Sequence, residues 1–585
     1  MNQAVSRWKT YKYFWRLIGY SWKYFLTDIT TAFVFWLSFT VLGLILRAYF
    51  NYLTGESGFA LPVGPVVGLQ LGYALIASLA MAAAILANTA LRYRSMALLI
   101  RNMFARILQM PGAKPLPARE DGKTMSSGEV ISTFRDDTNE MVDAITVIED
   151  ALGLGITAAI SMTIMLRINV LVTLGTVLPL MIIIVVAHRL GPLVEETRKA
   201  SREATSRVTG IIADMFNGTQ AIKVANAEER IVSYFRQLND QRRKSMVKDR
   251  LLTQLVRGLS NGATDVGLGV ILLLAARSMY SGEFTVGDFA LFVAYLWPLT
   301  QFMRMTGWVF TLYKQSGVSL DRMEKMMQGA EPGEPVAHHP VYLSGNYPQI
   351  THVPKTVEHQ LKTLSVQGLT CQYAGENGPV HGIVDVSFRL SRGSFTVITG
   401  RIGSGKTTLL KALLGLLPYQ SGEIYWNEKA VTQPANFFIP PRCAYTGQVP
   451  RLFSETVRDN ILLGLPEEEV NLPQAIHNAV LERDLLDMEQ GLNTLVGPRG
   501  VRLSGGQVQR TAAARMFVRG AELQVFDDLS SALDVETEAL LWERLFNSGT
   551  SGARPTCLVV SHRRAVLRQA DQILVLKDGR IEDAG

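Results

Sequence analysis

Uncharged apolar runs alternate with densely charged stretches over the first half of this chain. Ile29–Leu46 and Val66–Leu91 contain no charged residue. Ala151–Leu166 and Ile168–Ala187 are separated only by Arg167, Leu259–Ala276 is interrupted only by Asp265, and Phe289–Met303 is uninterrupted. A membrane-spanning helix needs roughly 20 apolar residues, so the pattern predicts six spans. The charged stretches between them keep helical periodicity. In Arg189–Arg257 apolar residues recur at Val208, Ile211, Ile212 and Met215, with one break at Asn217-Gly218. Tyr93–Leu108 and Val130–Ile148 read the same way, joined by Pro111–Gly128. These are helices that continue out of the membrane as struts. Ahead of the first span, Arg7, Lys9, Lys12, Arg16 and Lys23 mix with Trp8, Phe14, Trp15 and Trp22, a pattern suited to an amphipathic helix at the membrane surface.

The pattern changes from Gln328 to Leu361, where Pro, Gly and His accumulate as in Glu331-Pro332-Gly333-Glu334-Pro335. This reads as a linker. Strand-like runs resume at Leu364 and alternate with helical stretches. The expected architecture is therefore multi-domain: an α-helical six-span transmembrane domain over 1–327, a linker over 328–361, and an α/β domain over 362–585.

Composition agrees. The 585 residues are 48% hydrophobic and only 19% charged, with mean hydropathy +0.15, too apolar for a wholly soluble protein of this length. The net charge of +7 is assigned to loops facing the cytoplasm rather than to nucleic-acid binding. Ala48–Pro65, the turn at Arg167 and Ser278–Asp288 are poor in Lys and Arg, whereas the N-terminus, Arg92–Asp150 and Arg189–Arg257 are rich in them. That bias puts both termini and both long loops in the cytoplasm. Cys371, Cys443 and Cys557 have no metal-ligand spacing and read as reduced structural thiols. The N-terminus shows no cleavable signal peptide.

The chemistry lies in the last third. Gly400-Arg401-Ile402-Gly403-Ser404-Gly405-Lys406-Thr407 follows the β-rich run Ser394–Thr399 and precedes the helical run Thr408–Leu414. Strand, glycine loop and helix together form a phosphate cradle. Backbone N–H groups converge on phosphate oxygens, the lysine reaches the terminal phosphates, and the threonine hydroxyl meets Mg²⁺. Leu523-Gln524-Val525-Phe526-Asp527 is a second apolar strand ending in an acid suited to Mg²⁺. Between the two comes Leu503-Ser504-Gly505-Gly506-Gln507.

In that order these motifs resemble the ATP-binding cassette family, specifically an exporter-type half-transporter. The resemblance is sharpest over the last 220 or so residues and looser over the membrane half. There it rests on Ser127–Ser132, Asn217–Glu228 and Gly282–Asp288, which resemble a helix start, a coupling helix with its flank, and the turn before the last span. It implies ATP and Mg²⁺ as cofactors and a head-to-tail pair of cassettes. Gly400, Gly403, Ser404, Gly405, Lys406, Thr407 and Thr408 would bind the chain's own nucleotide, with Tyr373 on the adenine. Thr407, Gln448 and Asp527 would hold the metal, and Asp528, Gln448 and His562 would manage hydrolysis. Ser504, Gly505, Gly506, Gln507 and Asp534 would serve across the dimer. The implied partners are a second half-transporter chain, the lipid bilayer and a transported substrate. The implied location is a bacterial inner membrane, with the cassette in the cytoplasm.

Three positions depart from the family pattern. Asp528 stands where a glutamate is the usual catalytic base. Its carboxylate is one methylene short, and a misplacement of about 1 Å costs on the order of a hundredfold in rate. Such a substitution beside an intact Leu503–Gln507 is similar to the weak subunit of a heterodimer, whereas His562 argues for a working site. A catalytically weak regulatory subunit and import through the same fold stay open as alternatives to export. Pro498 replaces a common glutamate. The chain ends at Gly585, where the family usually continues with a helix, so a longer native chain is expected. Arg47, Asp265 and Arg304 are the ionisable candidates in the spans for substrate contact or for a place at a span end.

Overall fold

A computed structural model describes residues 9–56, 63–109, 125–343, 345, 347, 353–374, 380–497, 503–529, 533–547 and 554–585. Arg7, Trp8 and Pro498 lie outside them. The chain separates into two compact units, one drawn from residues up to Ser344 and the other from Gly345–Gly585.

In the first unit, six helices are long and apolar enough to cross a membrane: Trp22–Leu53, Val63–Gln109, Gly128–Ile168, Val170–Asn217, Glu228–Tyr280 and Val286–Met326. At 1.5 Å per residue, the 53-residue fifth helix extends about 80 Å, far beyond a hydrocarbon core of about 30 Å. The excess forms the predicted struts. Leu69, Leu71, Leu75, Leu79 and Leu86 of the second span are all exposed on this unit, an apolar outer surface suited to lipid.

Ahead of the spans, helix α1 (Thr10–Tyr20) buries Tyr13, Phe14 and Leu17 against Leu320, Met323 and Met326 of the sixth span. The Tyr13 hydroxyl donates to Glu324. The start of the linker is fastened to the same body. Asn102 Nδ2 donates to the carbonyls of Pro335 at 3.0 Å and Ala337 at 2.8 Å, and Val336 is fully buried.

One boundary differs from expectation because a side chain caps a helix. The fourth span begins at Val170 rather than Ile168. Asn169 is extended, with φ −156° and ψ 112°, and its Oδ1 accepts the N–H of Val172 at 3.0 Å. The break at Asn217-Gly218 holds a short helix of its own, Thr219–Val224, before the fifth span starts at Glu228. The sixth span opens with a capping box, in which Thr285 and Asp288 bond each other's backbone N–H.

The second unit carries two sheets. One is antiparallel, with strands β1 (Thr363–Ala374), β2 (Val380–Ser391), β4 (Ser421–Trp426) and β5 (Lys429–Ala430) in the order β2-β1-β4-β5. The other runs β10-β9-β3-β8-β7-β6. Its members are β3 (Phe395–Gly400), β6 (Cys443–Thr446), β7 (Leu523–Asp527), β8 (Thr556–Val560), β9 (Gln572–Lys577) and β10 (Arg580–Ala584). Strands β6, β7, β8, β3 and β9 are parallel, and all five residues of β7 and of β8 are buried. Near-continuous apolar strands of this kind are what a two-sided parallel sheet requires. The three cysteines are free and buried.

Candidate nucleotide site

Parallel strands carry their carboxyl ends to one edge, and in open α/β sheets ligands bind there. The glycine loop leaves the end of β3, Asp527 and Asp528 the end of β7, His562 follows β8, and Gln448 follows β6. The order β3-β8-β7-β6 therefore brings four separate motifs to one sheet edge.

The loop's backbone needs its glycines. Gly400, Gly403 and Gly405 have φ of 139°, 83° and 102°, the region L side chains avoid. A Cβ on Gly405 would lie 2.8 Å from the Gly382 carbonyl oxygen, whereas one on Gly403 would meet nothing within 4 Å. The first packs the loop onto the protein; the second faces open space. Helix α2 (Lys406–Leu413) begins immediately, so its free N–H groups face the loop. Lys406 Nζ donates to the carbonyls of Gly400 at 2.9 Å and Arg401 at 2.8 Å. Burial lowers the Lys406 pKa, opposed by Asp528 and Asp527. Ser404 Oγ is buried and has no hydrogen-bond partner among the described residues. An orphaned hydroxyl inside a loop of inward N–H groups fits a phosphate oxygen. Tyr373 is half exposed on β1, and its hydroxyl lies 3.4 Å from Thr408 Oγ1.

Thr407 Oγ1 donates to Asp527 Oδ1 at 3.0 Å, and Tyr445 donates to Asp527 Oδ2 at 3.3 Å. A hydroxyl and a carboxylate this close are hard oxygen donors of the kind Mg²⁺ prefers. Burial raises the Asp527 pKa, against the pull of those two hydrogen bonds and of Lys411. Its neighbour Asp528 has φ 54°, a left-handed conformation that aspartate tolerates better than most residues. Gln448 Nε2 reaches Asp528 Oδ2 at 3.5 Å, the far limit of a hydrogen bond. Burial also raises the Asp528 pKa, offset by Gln448, then His562, Arg563 and Lys406.

The Ser504 motif stands apart. Ser504 caps helix α3 (Gly505–Phe517): its hydroxyl accepts from Gln507 N, and Gln507 bonds back to Ser504 N. Gln507 Nε2 also donates to Asp484 at 3.2 Å, and Asp484 pairs with Arg510 at 2.7 Å. These hydrogen bonds stay on the signature's own side. Asp534 caps the helix Val535–Asn547 by accepting from Thr537 N at 2.9 Å. Arg563, next to His562, bonds the Leu533 carbonyl at 2.9 Å and Glu538 at 2.6 Å, tying the residue before Asp534 to the end of β8.

Two family models match. That for the ABC transporter covers residues 383–531, and that for the ABC transporter transmembrane region covers residues 21–302. The chain belongs to the ABC transporter family. Among similar proteins, the multidrug resistance-like ATP-binding protein MdlA of Escherichia coli (strain K12) is 27% identical over 473 residues, 78% of this chain and 75% of that protein. The probable multidrug resistance ABC transporter ATP-binding/permease protein YheI of Bacillus subtilis (strain 168) is 28% identical over 446 residues, 72% of this chain and 70% of that one. A solved structure of a bacterial Atm1-family ABC exporter with ATP bound shares the fold, with TM-score 0.65 and 20% identity over 97% of this chain and 94% of that one. As an ABC transporter with its membrane region and cassette fused, the chain is an ATPase coupled to transmembrane transport. It uses ATP, lies in lipid as a multi-pass protein and works as a dimer.

In the membrane unit, two of the three ionisable candidates are engaged by neighbours. Arg47 pairs with Asp288 at 2.6 Å, beside a second tie between the same helices, Gly287 N to Asn51 Oδ1 at 3.0 Å. Arg304 donates to Asn261 at 2.9 Å and to Gln301. Asp265 is exposed on this unit. Two buried acids of this unit were not among the candidates: Asp28 and Glu149 are 4% and 2% exposed. Tyr445, Asp484 and Arg563 were also missed. Tyr445 stands three residues before Gln448 and Arg563 directly follows His562, so only their nearness to motifs marked them.

Proposed function

We propose that this ABC transporter is one half of a dimeric exporter for amphipathic molecules. Residues 1–327 would form the membrane domain, 328–361 the linker and 362–585 the cassette. The observation that carries the reading is the edge described above, where Ser404 Oγ, Lys406, the Thr407–Asp527 pair and the Asp528–Gln448 pair face one cradle. ATP, with Mg²⁺, supplies a phosphoanhydride whose γ-phosphoryl transfer to water drives the cycle. Gly403, Ser404, Lys406 and Thr408 hold the phosphates, and Tyr373 the adenine. Thr407 and Asp527, with Gln448, hold the metal. Asp528 orients the attacking water, and His562 contacts the γ-phosphate. Ser504–Gln507 and Asp534 act on the nucleotide held by the partner chain. The cargo class follows from the apolar spans and from the multidrug names of the two relatives above. The proposed location is a bacterial plasma membrane.

Because Gln448 reaches Asp528 only at 3.5 Å, a second reading pairs this chain with a partner whose base is a glutamate. The deciding assay is ATP-dependent accumulation of an amphipathic dye in inverted membrane vesicles carrying this chain. Uptake that disappears in Lys406→Ala supports export. ATP-dependent loss of preloaded dye from the same vesicles would refute it in favour of import. A chain silent alone but active with a second half-transporter identifies the heterodimer.

A further inference from the structure

Opposite the nucleotide edge, the amino ends of β6, β7 and β8 border a cavity of about 480 Å³, lined there by Pro441, Glu522, Gln524 and Thr556. Lys355 from the linker, and Asn471 and Asn478 at the two ends of the helix Leu472–Asn478, form its other walls. The volume lies in the range of small-molecule sites, about 300–1,000 Å³. Gln524 is the anomaly in that lining. It has a strand on each side, paired in register with Ala444 of β6 and Cys557 of β8, and is 8% exposed. Every other residue of β7 ahead of Asp527 is apolar. The Gln524 Oε1 is buried and has no hydrogen-bond partner among the described residues.

Burying an amide without a partner is costly, and a leucine would fill the same strand position without that cost. The charges around the cavity say what a partner would carry. Four cations, Lys355, Arg392, Arg519 and Arg554, line it against two acids, Glu469 and Glu522. Lys355 pairs with Glu522 at 2.7 Å, and the Leu361 N–H reaches the same carboxylate at 3.0 Å. Arg554 pairs with Asp571 at 3.1 Å. Arg519 instead donates to carbonyls, those of Leu462 at 2.8 Å and Leu463 at 3.4 Å. A carbonyl orients a guanidinium but leaves its charge uncancelled. Surplus positive charge therefore stands beside a buried amide that lacks a partner. Guanidinium groups suit phosphate oxygens, and a hydroxyl, which both donates and accepts, answers an amide.

We propose that this cavity binds a hydroxyl-bearing phosphate ester of sugar-phosphate size, with its phosphate toward Arg392 and Arg519 and a hydroxyl on Gln524. The site is separate from the nucleotide cradle. It lies at the other end of β7, the five-residue strand that carries both Gln524 and Asp527. Its walls come from the linker, the helix Leu472–Asn478 and the sheet, so a bound ligand ties these three together and stabilises the cassette.

The test is calorimetric titration of ribose 5-phosphate into the full-length chain in phosphatidylcholine nanodiscs, with saturating Mg·ADP filling the glycine loop. Wild type should bind ribose 5-phosphate and not ribose. Gln524→Leu, which keeps the strand apolar and filled, should weaken binding by about tenfold, the scale of one hydrogen bond to a buried group. Arg392→Ala, at an exposed position, should weaken it by about tenfold or more. Lys429→Ala, an exposed cation of β5 outside the cavity, should bind as wild type does. Inorganic phosphate should bind more weakly than the ester, and equally to wild type and Gln524→Leu. Thermal melting supplies a second sign. Without ligand Gln524→Leu should melt above wild type, because the unpartnered amide is gone, and ribose 5-phosphate should raise the wild-type melting temperature more than that of the variant. Absence of wild-type binding, or affinity unchanged in both Gln524→Leu and Arg392→Ala, overturns the proposal. So does inorganic phosphate binding as tightly as the ester. Should Gln524→Leu fail to fold, unchanged affinity in Arg392→Ala alone overturns it.

Discussion

Lengthening the side chain at position 528 tests how the hydrolytic centre is set. In Asp528→Glu the carboxylate advances by one carbon–carbon bond, about 1.5 Å. The present gap to Gln448 Nε2 is 3.5 Å, so the added reach turns a limiting contact into a short one and carries the acid toward the water it must orient. A misplacement of about 1 Å is worth on the order of a hundredfold in rate, or about 2.7 kcal/mol of barrier. Phosphate release by the purified chain in nanodiscs at saturating ATP and Mg²⁺ should therefore rise by about 10- to 100-fold in kcat. KM should change less than about threefold, because Lys406, Thr407 and Asp527 are untouched. Stability should move the other way. The left-handed backbone at 528 suits aspartate, and glutamate there should cost about 1 kcal/mol, lowering the Tm of the cassette by about 2–4 °C. Asp528→Asn should be inactive in both comparisons. A glutamate variant whose kcat stays within about twofold of wild type would refute the reasoning and show Asp528 to be a fully placed base.

Tyr445→Phe removes the 3.3 Å hydrogen bond to Asp527; at about 1 kcal/mol, calorimetric titration with Mg·ATP should show roughly fivefold weaker binding. Gly405→Ala forces a Cβ to within 2.8 Å of the Gly382 carbonyl at φ 102°, so nucleotide binding should be lost and the cassette destabilised by more than about 1 kcal/mol, read by binding and by thermal melting. Burial raises the Asp528 pKa above the ordinary 3.8. As a base it must be ionised, so kcat should fall as pH drops through that raised value, and this acidic limb should disappear with the activity in Asp528→Asn. For stability the sign reverses: the folded state binds the proton more tightly, so this residue's contribution is present at low pH and is lost as pH rises from 3.8 through the raised value. The limb would be misassigned if Asp528→Glu left its position unchanged.

The six spans were legible because hydropathy is a local signal that survives without tertiary context. The glycine loop was legible because phosphate binding requires a contiguous strand, turn and helix. What escaped was non-local or depended on a side-chain cap. Asn169 moved the start of the fourth span by bonding a backbone N–H that hydropathy does not weigh. The antiparallel sheet β2-β1-β4-β5 was equally hidden, because its pairing joins segments some fifty residues apart across the glycine loop.

The reciprocal cap at Ser504 and Gln507 has a kinetic consequence. Both side chains are already held in place, and Gln507 is braced through Asp484 to Arg510. A receptor whose rotamers are fixed before encounter loses little further entropy when a partner arrives. The first turn of helix α3 therefore waits in its receiving geometry. The speed with which two cassettes close should be governed by their collision and by the loading of ATP, not by reordering of this motif. A change at Asp484 that frees Gln507 would slow that closure while leaving the affinity of the glycine loop for its own nucleotide intact.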